Sequence, residues 1–196
     1  MELVRNKRKL FNKKEMSKLK DDKYISPEEY EKLQDNFDFK TEYDNGKIIM
    51  HSDVSDRHNE ITTNLVASLV PFFRKKQCKV RSEKIEIIFD ENHKYKPDVF
   101  VVCGNPRMKG QSYLTAPKLI FEVISRSTAS HDRLTKYNVY MENGVTEYNL
   151  VEQNGFITQY TLIDGWYQQT GAFRADDTYK STAVEGLEID LNEIFE

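Results

Sequence analysis

The sequence predicts one α/β domain built on a mixed sheet. Residues 118–151 read as strand, helix, strand: an apolar run at Lys118–Ile124, a helical stretch at His131–Glu142 and a β-rich run at Thr146–Val151. Such a unit pairs its strands in parallel and crosses over right-handed. Three turn signals, Asp44-Asn45-Gly46, Asn154-Gly155 and Asp164-Gly165, lie between β-branched and aromatic residues. Asn-Gly and Asp-Gly tolerate positive φ at both central positions, so these predict antiparallel hairpins. The 196 residues are 38% hydrophobic and 12% aromatic, enough to bury a core.

The elements follow in order. Residues 1–23 hold nine Lys or Arg against four acids, a local charge of +5 in a chain of net charge -3. They read as a basic extension, helical only weakly, that is either a solvated tail or an arm for phosphates; residues 24–196 read as the domain proper. Ser26-Pro27-Glu28-Glu29 is a helix start, with Ser26 as N-cap, Pro27 in the first turn and Glu29 closing a capping box. The Asn45-Gly46 turn joins a strand containing Glu42 to Lys47-Ile48-Ile49-Met50. Ile61, Leu65, Leu69 and Phe72/Phe73 recur at helical spacing over 55–74, with Pro71 near the end. Residues 79–89 alternate around Val80, Ile85, Ile87 and Phe89 and read as one strand. Asp98–Cys103 is another. Ser130 is the expected N-cap of the helix that Gly144 closes. The last two hairpins form a small antiparallel extension.

Composition excludes several classes. A net charge of -3 gives no global pull on a polyanion, so any such attraction must be local. Cys78 and Cys103 form no CxxC pair, which argues against a zinc knuckle or redox motif; Cys103 reads as a small buried residue in a reduced, cytoplasmic setting. No apolar run approaches the roughly 18 residues of a membrane span. The basic N-terminus has no apolar stretch behind it, so it does not read as a secretory signal. No GxSxG elbow supports a serine nucleophile.

Two acids point to chemistry. Asp98 opens the apolar strand Val99-Phe100-Val101-Val102, and Glu122 interrupts Leu119-Ile120-Phe121-Glu122-Val123-Ile124. A carboxylate buried alone is costly and needs a donor or a cation. If the strands are neighbours, both acids converge, and a hard cation such as Mg²⁺ or Mn²⁺ relieves their repulsion. Read singly, each acid is better explained as a solvated or ion-paired strand end; read together they favour a site.

Pro97-Asp98, Glu122 after a gap of 24, and a following Lys-bearing helix resemble the PD-(D/E)XK nuclease superfamily. Within it, Phe121-Glu122-Val123-Ile124-Ser125-Arg126-Ser127-Thr128, then Asp132 and Lys136, then Glu147-Tyr148, resembles the Uma-two-type family. Glu42-Tyr43-Asp44-Asn45-Gly46-Lys47 is similar to its upstream hairpin, and His58 to a histidine opening its long helix. The resemblance runs from about Tyr24 to the C-terminus. It implies a restriction-endonuclease-like mixed sheet flanked by helices, with Mg²⁺ or Mn²⁺ held by Asp98, Glu122 and the carbonyl of Val123, and DNA as substrate. One departure is clear. The superfamily's lysine stands two residues after the acid, where this chain has Ile124; Lys136 on the next helix matches the family's substitute. Otherwise Asp132 and Lys136 read as an exposed i,i+4 pair.

Glu42 and His58 are supporting candidates, with an exposed hairpin acid and a locally capped helix residue as their plainer readings. Arg126, Ser127 and Arg133 are candidates for nucleic-acid contact, as are Ser125, Thr128 and Ser130 at the mouth of the site. Glu147 reads as a brace for a strand end. The leading expectation is a metal-dependent endonuclease. The alternative is a nuclease-like module that binds nucleic acid or a protein without cutting, and a third reading is a hydrolase of small phosphates. Enzymes of this kind often act as homodimers so that both strands are cut, though the sequence marks no interface.

Overall fold

The computed structural model describes residues 24–37, 39–51, 54–125 and 129–196. The basic segment 1–23 and the candidates Arg126, Ser127 and Thr128 lie outside the described residues. The chain runs α1 (Pro27–Leu33), β1 (Thr41–Asp44), β2 (Lys47–Met50), α2 (Asp56–Phe73), β3 (Cys78–Ser82), β4 (Ile87–Ile88), β5 (His93–Tyr95), β6 (Val99–Cys103), β7 (Met108–Lys109) and β8 (Ser112–Tyr113). It continues with β9 (Leu119–Ile124), a π-helical turn (His131–Lys136) leading into α3 (Tyr137–Glu142), β10 (Glu147–Glu152), β11 (Phe156–Ile163), β12 (Trp166–Arg174), β13 (Thr178–Lys180), β14 (Glu188–Asp190) and α4 (Asn192–Phe195).

A central sheet takes the order β12-β11-β10-β9-β6-β3. β9 and β10 are parallel and joined across the helix, and the other neighbours are antiparallel. The mixed sheet is thus the one the strand–helix–strand unit and the hairpins predict. β11 and β12 pair onto β10, so the C-terminal extension continues this sheet, and only β13–β14 form a separate hairpin. Alternation along the strands splits the core between the two faces. One face packs Val99, Val101, Phe121 and Val151 under Ile61, Leu65 and Leu69 of α2. The other packs Phe100, Ile120, Tyr148 and Leu150 against Val139 and Tyr140 of α3. A second sheet, β2-β1-β5-β4-β8-β7, joins the α3 side through Ile87, Tyr95 and Tyr113.

Local chemistry explains the ends. Ser26 accepts from the Glu29 amide while the Glu29 carboxylate accepts from the Ser26 amide, completing the capping box. Ser55 caps α2 through the His58 amide. Asn45 and Gly46 both take positive φ, 44° and 85°, as the tight hairpin requires. Any Cβ on Gly46 would also meet the Tyr24 ring at 2.2 Å.

Three expectations need correction. Residues 79–89 are not one strand: β3 joins the central sheet and β4 the second one, with a turn closed by the Ile85 amide on the Ser82 carbonyl. The apolar alternation carries through that turn, so periodicity alone cannot see it. Ser130 is not an N-cap. It is itself helical and makes no side-chain cap bond, because the helix has already begun where the Ala129 amide reaches the Ser125 carbonyl. Cys103 is not a free buried thiol: it stands opposite Cys78 in the β3–β6 ladder, and the two form a disulfide. Strand register, which spacing does not reveal, brings them together.

Candidate active site

β6 and β9 pair Val99 with Phe121 and Phe100 with Ile120. One more step of that register sets Asp98 opposite Glu122, on the face that looks toward α3. Directly opposed residues have Cβ atoms about 5 Å apart. Hydrogen bonds tie the pair further. The Asp98 amide donates to Glu122 Oε2 at 3.2 Å, and the Val123 amide to Asp98 Oδ2 at 2.9 Å. In an extended strand a residue's N–H and C=O face the same neighbour. The Val123 carbonyl therefore points toward β6 too, past the residue where that strand begins. Asp98 is 5% and Glu122 2% exposed.

The helix supplies the counter-charge. Lys136 is 1% exposed, and its Nζ lies 2.9 Å from Glu122 Oε1, 3.1 Å from Glu42 Oε2 and 3.2 Å from Asp132 Oδ1. The pair Asp132–Lys136 is thus not on an exposed face. The π turn, closed by i→i+5 bonds, stacks the two more nearly in line than an α-helix would. Tyr140, one turn further on, donates to Glu122 Oε1 at 2.7 Å. Ile124, where the superfamily has its lysine, packs into the apolar cluster under α3.

Glu42 is not an exposed hairpin residue. It is fully buried, accepts the Lys96 amide on Oε1 at 2.7 Å, and lies 2.9 Å from His51 Nε2 through Oε2. His131 Nε2 stands 3.9 Å from the same oxygen. His58 reaches Asp98 Oδ2 at 3.2 Å, so this helix-opening histidine orients a carboxylate. Lys40, just before β1, places its Nζ 2.9 Å from Asp98 Oδ1. All four histidines of the chain meet a carboxylate here or beside it, since His93 binds Asp90 and approaches Asp44. Arg133 is exposed and pairs with Glu152 at 2.7 Å.

These surroundings shift the acids in opposite directions. Burial raises Asp98, but Lys40, the His58 hydrogen bond and Lys136 outweigh it and hold the carboxyl well below its usual range. Burial also raises Glu122; Lys136 opposes this, but Asp98, Asp132 and Glu42 add to it, and its pKa is pushed up to about 8. Glu42 is lowered, burial being overcome by Lys136, His51 and Lys40. Lys136 is raised well above its usual value because its carboxylates outweigh the cost of burying it.

Sequence reasoning did not find Lys40, His51, His131 or Tyr140. The hairpin could have shown two of them. A two-residue turn at Asn45-Gly46 fixes Thr41 opposite Met50 and Glu42 opposite Ile49. Lys40 then stands opposite His51, and alternation sets Lys40, Glu42 and His51 on one face. His131 and Tyr140 depend on how the helix packs, which no short-range signal reports.

Glu147 faces the other way, onto the α2 side, and does not join the site. Fully buried, it accepts from Ser181 Oγ, Thr182 N, Thr182 Oγ1, Ala183 N and Asn149 Nδ2 at 2.7–3.1 Å and from the Tyr179 hydroxyl. It pins the β13–β14 hairpin to the sheet. Glu147→Ala is expected to cost about 3–5 kcal/mol, since it strips the acceptor from several buried neutral donors at about 1–3 kcal/mol each. Chemical denaturation checks this.

Residues 27–192 match the model of the Uma2 family, described as "Putative restriction endonuclease". The chain belongs to this family. Two proteins of Synechocystis sp. strain PCC 6803 are similar to it. One, slr1290, is 31% identical over 61% of this chain and 63% of its own length; the other, sll1609, is 30% identical over 67% of this chain and 76% of its own length. Both carry the name uncharacterized protein. A crystal structure titled a "putative nuclease belonging to DUF820", from Anabaena variabilis, superimposes with a TM-score of 0.70 at 19% identity, covering 87% of this chain and 97% of that one. The fold of this Uma2-family chain is therefore the restriction-endonuclease-like one. No described helix is long and apolar enough to cross a membrane.

Whether the residues fit a divalent ion follows from their charges. Four buried carboxylates, Glu42, Asp98, Glu122 and Asp132, share the pocket with two ammonium groups, Lys40 and Lys136. Counted fully ionised, the surplus is two negative charges; Glu122, pushed up to about 8, takes up a proton at neutral pH and lowers it. The facing oxygens are hard donors suited to Mg²⁺ or Mn²⁺. No three His, Cys, Asp or Glu side chains are preset around one point among the described residues, so the site offers two carboxylates and a backbone carbonyl rather than a closed cage. The residues fit an ion that keeps part of its water shell.

Proposed function

We propose that this Uma2-family protein is a divalent-metal-dependent endonuclease that hydrolyses phosphodiester bonds in DNA, with Asp98, Glu122 and the Val123 carbonyl as the ligand set. The observation that carries this reading is the convergence of buried carboxylates, with Asp98 and Glu122 opposed on neighbouring strands and Glu42 and Asp132 beside them. A fold has no structural need for such a cluster, and removing it from water is expensive. Burial first, and then Asp98, Asp132 and Glu42, push Glu122 up to about 8, so without a further cation it holds its proton at neutral pH. An Mg²⁺ ion bound there supplies a Lewis acid for a phosphoryl oxygen and a bound water of lowered pKa.

The chain's own residues set the rest of the chemistry. Lys136, held between Glu122 and Glu42, keeps its proton and presents a fixed positive charge where a phosphate would gain negative charge. Tyr140 and the Asp98 amide fix the Glu122 carboxylate, and His58 and the Val123 amide fix Asp98, so neither acid has to reorient. DNA is the substrate because the family is one of restriction-endonuclease type.

Incubation of supercoiled plasmid with the protein in Mg²⁺ or Mn²⁺ tests the reading. Nicked and linear products are expected with the ion and none with chelator. DNA that is bound but never cut would instead mark a non-catalytic binding module. Turnover of mononucleotides without salt-sensitive DNA binding would mark a hydrolase of small phosphates.

A further inference from the structure

The four oxygens of Asp98 and Glu122 are not equivalent. Asp98 Oδ2 is held by the Val123 amide and His58, and Glu122 Oε1 by Lys136 and Tyr140. What remains toward a shared ion is Asp98 Oδ1 and Glu122 Oε2, the latter accepting from the Asp98 amide at 3.2 Å. Lys136 thus sits on the far oxygen and can stay there. Lys40 sits on the near one, 2.9 Å from Asp98 Oδ1.

Lys40 also has a second carboxylate within reach. Its Nζ lies 3.9 Å from Glu83 Oε2, just after β3. The side chains of Asp98, Lys40 and Glu83 are 7%, 16% and 33% exposed, a graded path from the pocket to solvent. An ammonium and a divalent ion on one carboxylate oxygen repel strongly in a buried site. The outward neighbour gives Lys40 somewhere to go.

We propose that Lys40 is an exchangeable counter-ion: it holds Asp98 Oδ1 in the metal-free protein and, once a divalent ion takes that oxygen, swings outward along Glu83 to contact a phosphate of the bound nucleic acid. This rests on the nuclease reading above and adds a coupling to it. Vacating Asp98 is required for the ion and creates a phosphate contact, so each ligand improves binding of the other, and the coupling is reciprocal.

Manganese titration of the full chain, followed by electron paramagnetic resonance without nucleic acid, tests this. Lys40→Met is expected to bind Mn²⁺ about tenfold tighter than wild type, because no ammonium competes for the oxygen. Its binding to a DNA duplex in Ca²⁺ should show a salt dependence, log K against log salt, shallower by about one, the signature of one lost phosphate contact. Glu83→Gln, a near-isosteric change at a half-buried side chain, should weaken Mn²⁺ binding several-fold in wild type and not in the Lys40→Met background. A plain field effect of Glu83 would act equally in both. Lys40→Arg, which keeps a charge on Asp98, should return Mn²⁺ affinity toward wild type. Wild-type Mn²⁺ binding that Lys40→Met leaves unchanged or weakens overturns this proposal alone. Should Lys40→Met fail to fold, Lys40→Gln takes its place in the same titrations, and Mn²⁺ affinity no tighter than wild type overturns the proposal. Wild type that binds no Mn²⁺ overturns the nuclease reading, and this proposal falls with it.

Discussion

Asp98→Asn is expected to lower the rate of metal-dependent DNA cleavage by about a thousandfold, the scale of removing one charge-stabilising group from a catalytic site. The substitution is nearly isosteric. Its side-chain oxygen can still accept the Val123 amide at the place of Oδ2, so β6 and β9 keep their register. What it removes is one of the two negative charges that an ion would bridge. Lys40 and His58 favour the ionised carboxyl in the fold, so the variant is also expected to lose stability, and cleavage is compared at a temperature where both proteins are folded. Loss of cleavage by a variant that is still folded under assay conditions places the effect in the chemistry. Cleavage within tenfold of wild type would remove Asp98 from the ligand set.

Lys136→Met has a different signature, since it strikes stability before activity. The lysine is almost fully buried among Glu42, Glu122 and Asp132. Methionine fills much of the same volume but leaves those acids without their ammonium. Removing one partner from a buried ionic group costs about 3–5 kcal/mol, a large share of the stability of an ordinary domain. The pH dependence follows from the same loss. Without Lys136 the folded-state pKa values of Glu122 and Glu42 rise, and a carboxyl raised above its unfolded value stabilises the fold only while it keeps its proton. Wild type already loses stability as pH rises from about 5 toward the Glu122 value of about 8, and in the variant the loss is expected to continue above about 8, because its Glu122 titrates higher still. Mg²⁺ should restore part of it by supplying positive charge to the same oxygens. Urea denaturation across that pH range, with and without Mg²⁺, measures all three effects. A variant as stable as wild type at about pH 8 would contradict the charge accounting of the pocket.

Much of this was legible in the sequence because local chemistry and tertiary structure agree over most of the chain. Ser26-Pro27-Glu28-Glu29 and Asn45-Gly46 name their structures outright, and the apolar spacing of Ile61, Leu65 and Leu69 marks the buried face of α2. Asp98 and Glu122 stood out because each is an acid in an apolar strand, a local conflict that only a site or a partner resolves. What stayed hidden depends on register and packing. The Cys78–Cys103 bond, the break between β3 and β4, and the histidines on Glu42 arise where segments distant in sequence meet. Lys40 is the instructive case. Residue by residue it is an ordinary lysine before a strand. Only the hairpin register and the Asp98 carboxylate beside it give it a role.

The central claim is that Asp98 and Glu122 share one divalent ion. Anomalous diffraction from crystals soaked in MnCl₂ tests it most directly. A single strong manganese peak is expected between the Asp98 and Glu122 carboxylates, with Lys136 still on Glu122 Oε1. Density there that refines only as Lys40 on Asp98, with no anomalous signal at saturating manganese, would contradict it.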